Sequence, residues 1–199
     1  LGISMSGTLK IMNTLMALEM IARRSNKEFV LASGCCRYAR AYLRQNSLLE
    51  QARDDLVAFA EKTQCRVNLS ALEDIHHVSL AVFECDKPQL YEDAPRRIGA
   101  AVHLATGRVL LAHASSETVK RHVKAYPLSH YGPPSTLAEL RRELARIREN
   151  GCGTIVNPER NMIFVAAPVK VLSGRVAAAV GVHAVTPADI DGLIEETLA

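Results

Sequence analysis

No run of apolar residues in this chain approaches the roughly 18 that a membrane-spanning helix needs, because Arg108, Arg175 and several histidines interrupt the best candidates. The start carries no signal-peptide pattern. Familiar catalytic signatures are missing too: there is no G-x-S-x-G elbow, no P-loop and no H-E-x-x-H. The five cysteines (Cys35, Cys36, Cys65, Cys85, Cys152) form an odd set without C-x-x-C spacing, and adjacent Cys35 and Cys36 are poorly placed to bridge each other. They read as reduced thiols of a cytoplasmic protein, buried and inert in the common case and redox-sensing in the rarer one. The histidines give no metal pattern. His76 and His77 fall in a strand-like stretch, where neighbours point to opposite faces. His103 and His113 are too far apart for i,i+4 pairing, and His122, His130 and His183 have no carboxylate or cysteine at ligand spacing. No metal, cofactor or catalytic residue is expected. A Cys–His pair brought together only in space is the enzyme reading that stays open.

What is present is an ordinary globular composition with an uneven charge. The 199 residues suffice for one good-sized core and a small appendage, and 48% apolar with 23% charged residues fits a soluble domain. Residues 1–44 hold seven basic side chains (Lys10, Arg23, Arg24, Lys27, Arg37, Arg40, Arg44) against two acids, Glu19 and Glu28. The rest of the chain carries 17 basic and 19 acidic groups, so the positive field sits at one end. A polyanion such as DNA feels such a field; a solvated basic helix is the plain alternative. Because the chain opens on Leu1, it reads as a fragment of a longer polypeptide.

Ser4 is an acceptable N-cap for a helix in which Leu9, Met12, Leu15 and Met16 recur at spacings of three and four. Such a helix suits a major groove, or is an ordinary amphipathic surface helix. Ile21–Arg24 and Phe29–Leu31 flank the polar turn Ser25-Asn26-Lys27-Glu28, as in a β-hairpin. A connecting helix is expected over Cys35–Arg44, with Tyr38, Ala41 and Tyr42 along one stripe. A further helix runs from Leu48 to Lys62. Strands are expected at 66–72, 75–84, 154–156, 162–171 and 176–185, the first half-buried with Val67, Leu69 and Ala71 inward. Thr136 and Glu139 form a capping box for a helix that ends at Asn150, with Gly151 in its left-handed C-terminal position. Thr186-Pro187-Ala188-Asp189 starts a last helix. The fold class is α+β.

These segments resemble the IclR-type transcription regulators over nearly the whole chain. LGISMSGTLKIMNTLMALEMIARR is similar to their recognition helix and wing entry, and FVLASG to the second wing strand. RIGAAVHLATGRVLLA resembles their His-Ala-Thr, Gly-Lys block, with Gly107 at its glycine and Arg108 at its lysine. NMIFVAAPVKV resembles the Cys-hydrophobic-Ala-Ala-Pro-Val strand with Phe164 in the cysteine's place, and VAAAVGVHAV the last strand, with Val180 and Val182 in place of polar or small residues.

The resemblance implies a partial winged helix-turn-helix over 1–33 without its first two helices, a linker helix over 34–46, and a GAF-like effector-binding domain over 47–199 with an antiparallel sheet flanked by helices. Ser6, Thr8 and Lys10 would read DNA, with Arg23, Arg24 and Lys27 near phosphates. Ala105, Thr106 and Gly107 would form a tight turn at the effector cleft whose free N–H groups hold a carboxylate. Thr154, Phe164, Val180 and Val182 would line the opposing strands, or simply pack the core. The replacements at 164, 180 and 182 imply a smaller or more apolar pocket than the family's usual one. The function implied is a cytoplasmic, DNA-binding regulator, a homodimer or tetramer, controlled by a small organic acid, aromatic ones included. The rival readings are a sensing module without DNA affinity and a small Cys/His enzyme. Effector, operator and the sign of regulation are not legible.

Overall fold

The computed structural model describes residues 2–26, 28–44, 47–83, 98–128 and 134–185, together with 192, 194, 195 and 197. The chain divides into two compact units, Leu1–Gln51 and Ala52–Ala199, the boundary falling in the sequence of the helix over 47–63. Among the described residues no helix is long and apolar enough to cross a membrane.

In the first unit Ser4 caps α1 (Met5–Ala17), its Oγ accepting the Gly7 N–H at 3.2 Å. Met12, Leu15 and Met16 are half-buried, but Leu9, expected beside them, is 56% exposed. Glu19 takes a positive φ of 55° and turns the chain out of α1. The hairpin of β1 (Ile21–Arg23) and β2 (Phe29–Leu31) follows, antiparallel, with Ala22 opposite Val30. α2 (Gly34–Arg44) then starts against the Glu19 turn: the Gly34 N–H donates to the Glu19 carbonyl at 3.0 Å. A Cβ on Gly34 would stand 2.3 Å from that oxygen, so no other residue fits without moving the backbone. Tyr38 and Tyr42 of the expected apolar stripe are 41% and 38% exposed.

In the second unit the end of α3 (Ser47–Thr63) buries Leu56 and Ala60, one turn apart. β3 (Arg66–Glu73) and β4 (His76–Phe83) form a hairpin whose tight turn has Asp74 at φ 53°. A short β5 (Ile98–Gly99), not anticipated, pairs with β4. A single 3-10 turn, Ala101–His103, leads into α4 (Ala105–Ala112), followed by α5 (Ser116–Ala125) and α6 (Leu137–Asn150). The chain ends in β6 (Gly153–Asn157), β7 (Met162–Lys170) and β8 (Val176–Val185). Every pairing is antiparallel and the order is β5-β4-β3-β8-β7-β6. This is the α+β, GAF-like layout the resemblance implied, with each expected strand within a residue or so of its observed bounds. The helix expected from Thr186–Asp189 lies outside the described residues.

Two expectations need correction. Ala105–Gly107 is not an isolated tight turn but the first turn of α4, since Ala, Arg and Leu here favour a helix and Leu104 supplies the extended residue before it. β3 is not half-buried: Asn68 is 9% and Ser70 0% exposed, so both faces are covered. The first face is seated on α4, which packs against β3, β6, β7 and β8. Small residues make room for that helix. Gly153, Ala166, Gly181 and Asn68 lie side by side across four strands, and a Cβ on Gly181 would meet Thr106 Cγ2 at 2.6 Å. With α6 laid over α4, Val109, Leu111, Leu140, Leu144 and Ile147 close this core.

Candidate functional site

The polar groups under the first turn of α4 are the unusual feature of that core. Thr106 is 4% exposed and is the hub. Its hydroxyl pairs with His77 Nε2 at 3.1 Å, while its methyl and Asn68 Oδ1 each lie 2.6 Å from where a Gly181 Cβ would be. Asn68 Nδ2 donates to Ser70 Oγ at 3.0 Å. Two atoms are left over: His77 Nδ1 and Asn68 Oδ1 are fully buried and have no hydrogen-bond partner. An orphaned polar atom in a low-dielectric interior costs about 1–3 kcal/mol, so two beside one hub call for a ligand or water. His77 is 3% exposed, and burial, with like-charged His122 as the lesser cause, pushes it down to about 4. It is therefore a neutral imidazole at physiological pH. The first-turn N–H groups of α4 add a partial positive charge at the same place.

The turn that carries this helix end is fixed from both sides. The Val102 N–H donates to His122 Nε2 at 3.3 Å, and the Val102 carbonyl accepts from Arg108 Nε at 2.7 Å. Arg108 is held in turn by Glu143 of α6. His122, 0% exposed, donates its Nδ1–H to the Ile75 carbonyl at 2.7 Å, which ties α5 to the β3–β4 turn. Desolvation lowers the His122 pKa, the Ile75 bond opposes this, and His76 adds to the lowering. On the outside of that turn, Arg121 grips both carboxylate oxygens of Asp74 at 2.7 Å, and His76 Nδ1 pairs with Tyr126 Oη at 2.6 Å. The adjacent histidines do point to opposite faces, as strand geometry requires.

The residues expected to line an effector cleft divide between two faces. Ala105, Thr106 and Gly107 sit buried in the first turn of α4. Phe164 joins them on the α4 side, packed against that core and edge-on to His183 at 4.8 Å. Val182 pairs with Val165 and Val165 with Thr154, which puts these, and Val180 two residues along, on the opposite face. Val182 is 0% exposed there, while Thr154 is exposed. The β8 residues on the α4 side are Ala179, Gly181 and His183. Sequence reasoning missed His77, Asn68 and Ser70; their signal was a polar residue at every second place of strands that are otherwise apolar. Gly107 has a packing reason of its own, since a Cβ there would stand 2.0 Å from the Ala101 carbonyl oxygen.

Of the residues expected to meet DNA, Ser6, Thr8 and Lys10 are exposed on α1, Arg23 is exposed on β1, and Arg24 is exposed just beyond it. Lys27 lies outside the described residues. Thr8 Oγ1 donates to the Ser4 carbonyl at 3.1 Å, and Ser6 Oγ shares a hydrogen bond with Ser4 Oγ at 3.2 Å. Arg24 stands 3.7 Å from Glu28, and the Arg23 guanidinium lies over the Phe29 ring at 5.5 Å. Among the described residues there is no group of three or more His, Cys, Asp or Glu side chains placed to hold a metal ion.

A sequence model described as the C-terminal part of bacterial transcriptional regulator IclR matches residues 40–188. Solved structures of similar fold include IclR of Thermotoga maritima, 22% identical with a TM-score of 0.65, covering 98% of this chain and 80% of that one. An IclR family transcriptional regulator from Brucella abortus is 16% identical with a TM-score of 0.76, over 99% and 77% of the two chains. The Agobacterium tumefaciens repressor BlcR is 20% identical with a TM-score of 0.62, over 100% and 82%. None of the curated proteins matches the chain. With a family match over most of its length, the protein belongs to the IclR family of bacterial transcription regulators, and it carries that family's effector-binding domain.

Proposed function

We propose that this chain is a ligand-gated transcription regulator whose larger unit takes a small organic acid at the first turn of α4. The observation that carries the reading is the orphaned His77 Nδ1, fully buried in the ring whose Nε2 pairs with Thr106 of that turn. A carboxylate there would accept from the α4 N–H groups and from the Nδ1–H of neutral His77, with Thr106 Oγ1–H donating to Nε2. Phe164 packs against the same core.

The DNA-binding half of the reading rests on residues 1–33 as a partial winged helix and 34–46 as its linker to the effector domain of 47–199. Its support is the exposed basic set on α1 and the hairpin, where Lys10 has no acidic partner among the described residues. Ser6, Thr8 and Lys10 would face the groove, with Arg23, Arg24 and Lys27 toward phosphates. A homodimer or tetramer acting in the cytoplasm would place two such readers on related half-sites. Bound acid would bias their placement, and by linkage DNA would bias acid affinity equally.

Fluorescence anisotropy over a salt series, with DNA from upstream of the gene and with and without short-chain and aromatic acids, tests this reading. Sequence-selective binding altered by one acid is the expected result. Weak binding, equal on any sequence and collapsing with salt, would leave a sensing module without a specific operator.

A further inference from the structure

A cleft of about 220 Å³ opens where the end of α4 meets α5 and α6. Its floor is apolar and buried, made by Leu111, Val119 and Leu144, and Arg141 and Arg148 of α6 stand at its rim. No strand residue and no residue from the first turn of α4 lines it, so it is separate from the candidate site above. None of its lining residues is acidic. The charge pattern of α6 sets these two arginines apart. Arg142 has Glu139 three places before it, and Arg146 has Glu143 and Glu149 three places to either side. Arg141 and Arg148 have no acid at a spacing of three or four, and neither forms an ion pair among the described residues. Arg148 Nη1 donates to the Ala112 carbonyl at 2.7 Å, which fixes the guanidinium at the end of α4 and leaves it other N–H groups to offer. Glu117, the acid next in sequence to the cleft residue Ser116, acts instead on Arg121, one turn along α5. Beside the cleft, partial burial and then the charges of Lys170 and Arg148 lower the His113 pKa, so the field at this end of α4 is positive.

Arg141 and Arg148 lie two turns apart on one stripe of α6, about 10 Å of helix rise, with Leu144 between them. Two cations that bracket an apolar floor match an anion charged at both ends with a carbon chain in the middle. A guanidinium takes a carboxylate through two parallel N–H groups, whereas a monoanion would leave one arginine unmatched. The cleft is smaller than the roughly 300–1,000 Å³ that houses a drug-sized ligand, so the chain must be short. We propose that this cleft is a second ligand site that takes a short linear dicarboxylate, one carboxylate on each arginine and the methylenes over Leu111, Val119 and Leu144.

Isothermal titration of the full chain with succinate, glutarate and adipate, each against the monocarboxylate of equal length (butyrate, valerate, hexanoate), tests it. One dicarboxylate should bind about tenfold more tightly than its monocarboxylate, as one added charge-assisted pair implies. Arg141→Gln, at an exposed position of α6, should bring that dicarboxylate down to the level of the monocarboxylate. His77→Gln, at the first turn of α4, should leave it within about twofold. Equal affinity for di- and monocarboxylates, or no binding of any dicarboxylate, would overturn the proposal. So would a dicarboxylate whose binding is lost in His77→Gln and kept in Arg141→Gln, which would place it at the first turn of α4 instead.

Discussion

Gly107 and Gly181 look alike in the sequence but should behave differently. A Cβ on Gly107 would collide with backbone, the Ala101 carbonyl carbon at 2.5 Å and its oxygen nearer still. Nothing there can rotate away, so Gly107→Ala should cost about 3 kcal/mol or more in chemical denaturation. At Gly181 the obstacles are two side-chain ends, Asn68 Oδ1 and Thr106 Cγ2. Gly181→Ala should therefore cost less, about 1–2 kcal/mol, yet abolish acid binding because both ends belong to the candidate site. Equal destabilisation of the two variants would contradict this ordering. A second residue-level contrast lies on α1. Thr8 has already given its only donor to the Ser4 carbonyl, whereas the Lys10 ammonium is committed to no described acid. Lys10→Ala should weaken DNA binding and lower the slope of log K against log salt by about 0.9 if it meets a phosphate. Thr8→Val should leave that slope as it was.

Elements differ in how openly the sequence declares them. α6 was legible to the residue because its start is chemically explicit: Thr136 Oγ1 accepts the Glu139 N–H at 3.2 Å, and Glu139 Oε2 accepts the Thr136 N–H at 3.2 Å. Thr136→Ala should cost about 1 kcal/mol of the second unit's stability, measured by denaturant titration. The strands were legible from alternation and turn residues. Their faces were not, since the run VAAAVGV in β8 is apolar on both sides and its letters carry no parity of their own. Gly181 and His183 held the missing clue, because a glycine inside a strand marks the close approach of another element. α4 escaped notice for a different reason: its start has no side-chain cap. The work of a cap falls to distant residues, His122 and Arg108, which hold the preceding turn by its Val102 amide and carbonyl. No local pattern could announce that. His122→Phe keeps the ring's bulk but strands the Val102 N–H and the Ile75 carbonyl, a loss of about 2–5 kcal/mol. In any folded fraction the affinity for acid should drop as well, because the end of α4 is no longer held. Undiminished binding in a folded His122→Phe protein would show that the turn needs no such hold.

At the scale of the whole molecule these buried histidines make stability depend on pH. His77 is depressed to about 4 by burial and then by His122, and His183 to about 4 by burial and then by Arg66. Burial also lowers His122 and His113. In the unfolded chain an imidazole takes a proton near pH 6.5, whereas folded His77 and His183 refuse it until about pH 4. The unfolded state therefore binds more protons between about 6.5 and 4, and stability rises with pH across that window. The contribution is complete above about pH 6.5 and is lost as pH falls toward 4, at about 2 kcal/mol for each of His77 and His183 by pH 5. Both lie on the face of the sheet that carries α4, His77 through its bond to Thr106 and His183 through its packing on Phe164. Acid should therefore loosen the candidate site along with the fold it is built into. Urea titrations of the full chain at pH 7.5 and 5.0 should show the second unit weakened by several kcal/mol, and His77→Gln should remove about half of the difference contributed by that pair. A midpoint that stays level between the two pH values would mean that the histidines are charged and solvated in the folded protein, and the neutral imidazole on which the carboxylate site depends would go with it.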